Sequence, residues 1–231
     1  VKTAVFEESK MLMCHTFFKN RIISEIKKII KNDKINEAII SSVSSISVKK
    51  LEKLKKIVPL TLLSSEIKIP FKNLYSTPKT LGVDRMALVV GAVKKHPNQN
   101  TLVIDAGTCI TFDFVNKNKE YIGGAISPGV KMRYKALYKF TSKLPLLDIK
   151  APSSFVGNST EESINSGVIN GVIQELEGVI QQYKNKYLDL TVVLTGGDTY
   201  FLSKQLKSSI FANQNFLLEG LNEILIFNDN K

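Results

Sequence analysis

The sequence predicts an α/β fold, because strand-like and helix-like hydrophobic patterns alternate along the chain. Its 231 residues are 43% hydrophobic, which is enough apolar material for one large domain or two small ones. The alternation breaks at His96–Asn98, where Pro97 lacks a backbone donor and disfavours helix before it. It restarts with an apolar strand at residue 101. We therefore expect an N-terminal domain over residues 1–98 and a C-terminal domain over residues 99–231.

The first part opens with two strand patterns around the acidic turn Glu7–Ser9. The elements predicted for this part are strands at 1–6 and 10–18, a helix near 21–32, a strand at 37–43, a lysine-rich helix at 48–57, a strand at 60–63, a proline-bearing loop at 67–80 and a helix at 84–95.

The second part begins with a strand that ends in a tight turn containing a glycine. The predicted elements are strands at 101–105, 109–115, 120–126 and 191–194, and helices at 130–142, 160–183, 199–208 and 218–226. The strand, turn and strand at 2–18 resemble the layout at 110–126, which hints at an internal duplication.

The net charge of +11 comes with lysines grouped at 27–34 and 49–56. In the second group apolar residues recur at helical spacing, so the lysines cover the solvent face of an amphipathic helix. No aromatic residues interleave with them, and we expect no nucleic-acid role. No apolar run is long enough to span a membrane, and the first residues do not have the pattern of a signal peptide. The two cysteines are too few to form a disulfide framework in a chain of this length. We expect a cytoplasmic protein that binds no membrane.

The turn Asp105–Thr108 combines a carboxylate, backbone donors and a hydroxyl at the end of a strand. Backbone N–H groups suit phosphate oxygens, and a carboxylate holds a cation or a bridging water. An ordinary hairpin turn explains the same four residues equally well.

The segment Gly82–Arg85 stands at the start of a strong helix pattern. Asp84 is a candidate general base for a substrate hydroxyl, and Arg85 could bind a substrate carboxylate through two parallel hydrogen bonds. The alternative interpretation is that Asp84 only caps the helix.

Two glycines follow the strand at 191–194, in Thr195–Asp198. Paired glycines let a ligand approach the backbone closely, at the strand end where open α/β sheets bind ligands. The alternative is a strand-to-helix turn capped by Asp198. The loops Gly123–Gly129 and Gly157–Thr160 each precede a helix pattern, and either could bring a helix N-terminus to an anion or simply be a turn.

The order of these motifs, G-x-D-R, D-x-G-T, G-G-x-I-x-P-G and T-G-G-D, resembles that of the type III pantothenate kinases. The resemblance covers essentially the whole chain, including Gly157–Gly167 and Gly220–Ile224. It implies the fold of the acetate and sugar kinase, Hsp70 and actin superfamily: two ribonuclease-H-like (actin-like) domains with the nucleotide cleft between them. It also implies ATP-dependent phosphorylation of pantothenate to 4'-phosphopantothenate, the first step of coenzyme A biosynthesis.

The resemblance also implies roles for individual residues and cofactors. Asp84 would be the catalytic base and Asp105 would bind a monovalent cation, K⁺ or NH₄⁺, beside ATP and Mg²⁺. The residues implied to bind pantothenate are Tyr75, Gly82, Val83, Arg85 and Thr160. The residues implied to bind ATP are Lys2, Thr108, Gly196 and Gly197.

One departure from the family pattern concerns the first residues. Family members open with a strand and a D-x-G-N-T turn that grips the phosphates, whereas this sequence begins at Val1–Thr3, which resemble the residues just after that turn. We expect the strand and turn to lie upstream of Val1. Two alternatives stay open: a non-catalytic relative acting as a regulator or binding module, and another small-molecule kinase of the same superfamily.

The family is homodimeric, and the helix predicted at 160–183 is a candidate interface. Apolar residues follow one side of this helix, and Gly167, Gly171 and Gly178 lie among them. Glycine costs a helix about 1 kcal/mol per residue relative to alanine, a cost that is tolerated where another backbone approaches closely. That neighbour is either a partner subunit, which would close the pantothenate pocket, or a helix of the same subunit.

Overall fold

The computed structural model describes residues 1–42 and 46–229. Its strands and helices, in chain order, are β1 (Lys2–Glu7), β2 (Lys10–Thr16), α1 (Ile22–Asn32), β3 (Ala38–Ile40), α2 (Val48–Lys55), β4 (Leu60–Leu62), β5 (Lys72–Asn73), α3 (Val83–Lys95), β6 (Asn100–Ala106), β7 (Cys109–Val115), β8 (Glu120–Pro128), α4 (Val130–Phe140), α5 (Thr160–Lys186), β9 (Leu190–Thr195), α6 (Thr199–Ser203), β10 (Phe211–Ala212) and α7 (Phe216–Asp229). In the described part, none of the helices is both long and apolar enough to cross a membrane.

The chain forms two compact units, one comprising residues 1–95 with the segment from Phe216 onward, and the other residues 96–215. The first break lies three residues before the predicted one at residue 98. The predicted range 99–231 needs correction at its end, because α7 packs against α3 in the first unit. Sequence periodicity shows that a helix has an apolar face, but it does not show which unit that face covers.

Within the first unit, α3 is the central helix, and every residue from Arg85 to Val93 is buried. Its contact with α7 is close enough to require glycine. A Cβ atom added at Gly220 would lie 2.0 Å from the carbonyl oxygen of Ala87. The other pairs in this unit are an antiparallel β1–β2 hairpin and a parallel β3–β4 pair.

The second unit contains strands side by side in the order β10-β9-β6-β7-β8. β7 is antiparallel to both β6 and β8, whereas β9 is parallel to β6 and to β10. The end of β6, the start of β7, and the ends of β8 and β9 therefore meet at one edge of the sheet. This edge carries the candidate site of the unit.

Helix α5 covers one face of this sheet with the apolar stripe predicted for it. Ile164, Val168, Val172 and Leu176 are buried in the core of their own unit. The same-subunit explanation therefore holds for the stripe. It does not extend to the glycines, because a Cβ added at Gly167, Gly171 or Gly178 would meet nothing within 4 Å.

Most predicted elements are confirmed near their predicted bounds. The two hairpins that suggested a duplication, β1–β2 and β7–β8, are both antiparallel. The strand predicted at 37–43 ends at Ile40, and Val43 lies outside the described residues. The helix predicted at 199–208 is wrong after Ser203, because the Glu177 side chain accepts the backbone N–H groups of Lys207 and Ser208 and so gives them partners outside a helix.

Candidate functional site

The first part of the site is the turn between β6 and β7. Asp105 lies near the end of β6 and is half-buried, while Thr108 is exposed at the tip. Gly107 closes the turn by donating its N–H to the carbonyl oxygen of Cys109 at 2.9 Å, and a Cβ added at Gly107 would meet nothing within 4 Å. The turn is therefore an ordered backbone loop with open space beside it.

The T-G-G-D segment meets this turn, because β9 is parallel to β6 and Asp105 is paired with Thr195. A Cβ added at Gly196, whose φ is +97°, would lie 2.3 Å from Ala106 O and 2.3 Å from Asp105 Oδ1. The Asp198 N–H donates to Ala106 O at 2.9 Å. Glycine is thus required at 196 by its own backbone angle and by the neighbouring strand.

A third loop, the end of β8, reaches the same turn. Gly129 donates its N–H to the carbonyl oxygen of Thr108 at 3.1 Å, and a Cβ added there would lie 2.1 Å from the carbonyl oxygen of Gly107. Gly129 immediately precedes α4, whose first N–H groups have no partner within the helix. Gly129 was missing from the predicted site residues, although the motif G-G-x-I-x-P-G carried the signal.

Charged groups of both signs lie at this edge. Burial raises the pKa of Asp198, and the ammonium group of Lys131 in the first turn of α4 opposes that shift. Among the described residues no three His, Cys, Asp or Glu side chains are grouped so as to hold a metal ion.

In the first unit, the G-x-D-R segment forms the start of α3. Asp84 is half-buried, and its Oδ1 accepts the backbone N–H of Arg85 at 2.9 Å, so it does serve the helix start. Arg85 is only 6% exposed, and its guanidinium carbon lies 5.7 Å from the ring centroid of Tyr75. A Cβ added at Gly82 would lie 2.5 Å from Asp84 Oδ1. Three predicted substrate residues, Tyr75, Gly82 and Arg85, are therefore grouped here with the predicted base Asp84, and a fourth substrate residue, Val83, is the first residue of the same helix.

Two predicted residues lie elsewhere in their units. Lys2 is the exposed first residue of β1. Thr160 is the first residue of α5, where the Ser159 hydroxyl caps the helix by accepting the N–H of Glu162. It lines a groove with α4 residues, including Met132 and Leu137.

Comparison with known proteins relates this set of motifs to one family. The family model described as type III pantothenate kinase matches residues 1–182. A type III pantothenate kinase of Christiangramia forsetii is 49% identical over 229 residues, which are 99% of this chain and 94% of the relative. The chain belongs to the type III pantothenate kinase family. The membership confirms the predicted resemblance and makes the protein a kinase.

Solved structures agree on the fold. A protein from Campylobacter jejuni described as a Baf family transcriptional activator is similar, with a TM-score of 0.61 at 20% identity, over 94% of this chain and 92% of that one. A glucokinase from an Antarctic psychrotroph is similar with a TM-score of 0.50 at 12% identity, covering 95% and 90%. The type III pantothenate kinase chain thus has the mixed α/β, ribonuclease-H-like fold of the actin-like kinases, as predicted.

Proposed function

We propose that this chain transfers the γ-phosphoryl group of ATP to the primary hydroxyl of pantothenate. The product is 4'-phosphopantothenate, and the reaction is the first step of coenzyme A biosynthesis. The observation that carries the proposal is 49% identity to a type III pantothenate kinase over 94% of that relative's length. The G-x-D-R, D-x-G-T and T-G-G-D motifs lie within the aligned chain.

On the nucleotide side, the turn at 105–108 is proposed to hold phosphate oxygens. The Thr108 hydroxyl is exposed at its tip, and the open space beside Gly107 and Gly197 allows a ligand to approach the backbone. Gly196 and Gly197 would lie against adenosine, and Lys2 would contact phosphate. A Mg²⁺ ion bound to the phosphates would supply charge neutralisation, on which phosphoryl transfer mainly depends.

On the acceptor side, Asp84 is proposed to accept the proton of the pantothenate hydroxyl as the oxygen–phosphorus bond forms. Arg85 is proposed to bind the pantothenate carboxylate, and Tyr75, Gly82 and Val83 of the same unit are proposed to contact pantothenate. The contact between Arg85 and Tyr75 supports the role of Arg85, because a guanidinium held in one orientation loses less entropy when it binds a carboxylate. Thr160 is a further proposed substrate residue.

Asp105 is proposed to bind the monovalent cation, K⁺ or NH₄⁺. Its half-buried carboxylate lies beside the Gly196 backbone at the phosphate turn, which suits a cation that offsets phosphate charge. The test is a potassium titration of activity in Asp105→Asn. A weaker response to potassium supports the role, whereas an unchanged titration curve refutes it.

A homodimer is proposed with α5 and its surroundings at the interface. The open glycine face of α5 allows close approach by a second backbone, and Phe140, Phe155 and Val156 are largely exposed in the same unit. Light scattering across a dilution series tests this. A stable monomer at micromolar concentration that still phosphorylates pantothenate would show that no second subunit is needed.

The activity itself is tested by coupling ADP release to substrate in the protein expressed from its full gene. Pantothenate is compared with a panel of sugars, short hydroxy acids and other small alcohols, all with Mg²⁺ and K⁺ present. Turnover with pantothenate far above the panel supports the proposal. Turnover with another alcohol only would assign a different kinase reaction, and turnover with none would favour a non-catalytic relative.

A further inference from the structure

Arg133 on α4 connects three parts of the second unit. Its Nε donates to the carbonyl oxygen of Pro128 at 2.9 Å, and its Nη2 donates to Ser127 Oγ at 3.0 Å. The same Nη2 forms an ion pair with the carboxylate of Glu175 on α5. The Arg133 and Glu175 side chains are 23% and 28% exposed, so solvent screens the pair only partly.

Arg133 contacts the end of β8, and this strand end leads into the residue that supports the turn at 105–108. Ser127 and Pro128 lead directly into Gly129, whose N–H donates to Thr108 O. Gly129 is too close to the carbonyl oxygens of Gly107 and Thr108 to tolerate a side chain. A displacement of the β8 end and Gly129 would therefore move the backbone of the turn.

The Arg133 contacts are not needed to hold α4 against α5. A buried hydrogen bond from the Tyr134 hydroxyl to Asn165 Oδ1, at 2.7 Å, already joins the two helices. Val130 and Tyr134 also belong to the same apolar core as the α5 stripe. Two of the three Arg133 contacts go to Ser127 and Pro128, the last residues of β8, which are also paired with Ile110 and Cys109 of β7.

We propose that Arg133 is a positioning residue for ATP, and that Glu175 fixes its guanidinium so that the end of β8 and Gly129 hold the turn at 105–108 in place. The inference rests on the proposed function, because it requires that the turn binds nucleotide phosphate. Under this proposal α5 helps to position the nucleotide site through Glu175.

The test measures ADP binding by calorimetry in the protein expressed from its full gene. Arg133→Met and Glu175→Gln are each expected to raise the Kd for ADP roughly ten-fold, the lower end of the losses seen when residues that orient the ligands of a metal site are removed. Arg133→Lys keeps the charge but lacks the planar fork of donors, so it should recover thermal stability more than ADP affinity.

The matched control is Glu177→Gln on the same helix. Glu177 also holds a loop through its carboxylate, accepting from Lys207 and Ser208, but that loop does not contact the phosphate turn in the described contacts. Its loss should lower stability and leave the Kd for ADP unchanged. In steady state, Arg133→Met should raise KM for ATP more than KM for pantothenate.

The proposal is overturned if folded Arg133→Met and Glu175→Gln bind ADP as tightly as the wild type, or if Glu177→Gln weakens binding equally. If Arg133→Met fails to fold, Glu175→Gln decides by the same criterion. ADP binding needs no pantothenate. A protein that shows these shifts without phosphorylating pantothenate therefore refutes the proposed function alone.

Discussion

Replacing Gly196 with alanine tests the geometry of the proposed nucleotide site. Two costs add. A residue with a Cβ is disfavoured at a φ of +97°, because left-handed backbone costs about 1–2 kcal/mol. The Cβ would also lie 2.3 Å from Ala106 O and 2.3 Å from Asp105 Oδ1, so these atoms must move, which typically costs about 1–3 kcal/mol. Alanine also has less conformational entropy than glycine in the unfolded chain, which offsets only about 0.4–1 kcal/mol of these costs. We expect Gly196→Ala to lower the free energy of unfolding by roughly 1–5 kcal/mol.

The neighbouring residue provides the control. Gly197 has no positive φ, and a Cβ there would meet nothing within 4 Å, so Gly197→Ala should change stability by less than about 1 kcal/mol. Both variants are unfolded in urea with circular dichroism as the signal. Equal midpoints for Gly196→Ala and Gly197→Ala would contradict the structural reasoning.

Three further predictions concern the first unit. Asp84→Asn should fold normally and lose roughly 10²–10⁴-fold in turnover, because general-base catalysis contributes on that scale. Burial raises the pKa of Glu37 from 4.5 to about 7, and the hydrogen bond to Asp229 and the negative charge of Asp229 add to this shift. The contribution of Glu37 to the free energy of unfolding is therefore fully present below pH 4.5 and is lost as the pH rises through about 7. Glu37→Gln should flatten this pH dependence of the unfolding midpoint. Gly220→Ala should cost about 1–3 kcal/mol, because its Cβ would lie 2.0 Å from Ala87 O.

Each of these three has an outcome that would contradict it. Wild-type turnover in a folded Asp84→Asn protein would leave Asp84 a helix-start residue only. A wild-type pH dependence in Glu37→Gln would show that the pair with Asp229 is not the cause. For Gly220, the comparison is Gly197→Ala, where a Cβ would meet nothing within 4 Å, and equal stability of the two variants would argue against the close α3–α7 contact.

The sequence was sufficient for most of the local structure, because local structure depends on short-range patterns. The apolar alternation at 101–105 and 109–115 and the proline at 97 fix elements within a few residues of their observed bounds. The motif order was likewise sufficient for the family. Asp84 and Arg85 were placed correctly at the start of α3 for the same reason.

What the sequence could not show depends on contacts between distant residues. The apolar face of α7 does not reveal that it packs on α3, 120 or more positions earlier in the chain. The early end of α6 depends on Glu177, about 30 residues upstream. Gly129 became part of the site only once β8 was paired with β7, which brings it to Gly107.

The most direct test of the proposed function is the identity of the phosphorylated product. The protein expressed from its full gene is incubated with ATP, Mg²⁺, K⁺ and pantothenate, and the products are analysed by mass spectrometry beside an Asp84→Asn reaction. We predict one phosphoryl group on pantothenate for each ADP formed, and far less product with Asp84→Asn. ATP consumption without phosphorylated pantothenate would contradict the assignment.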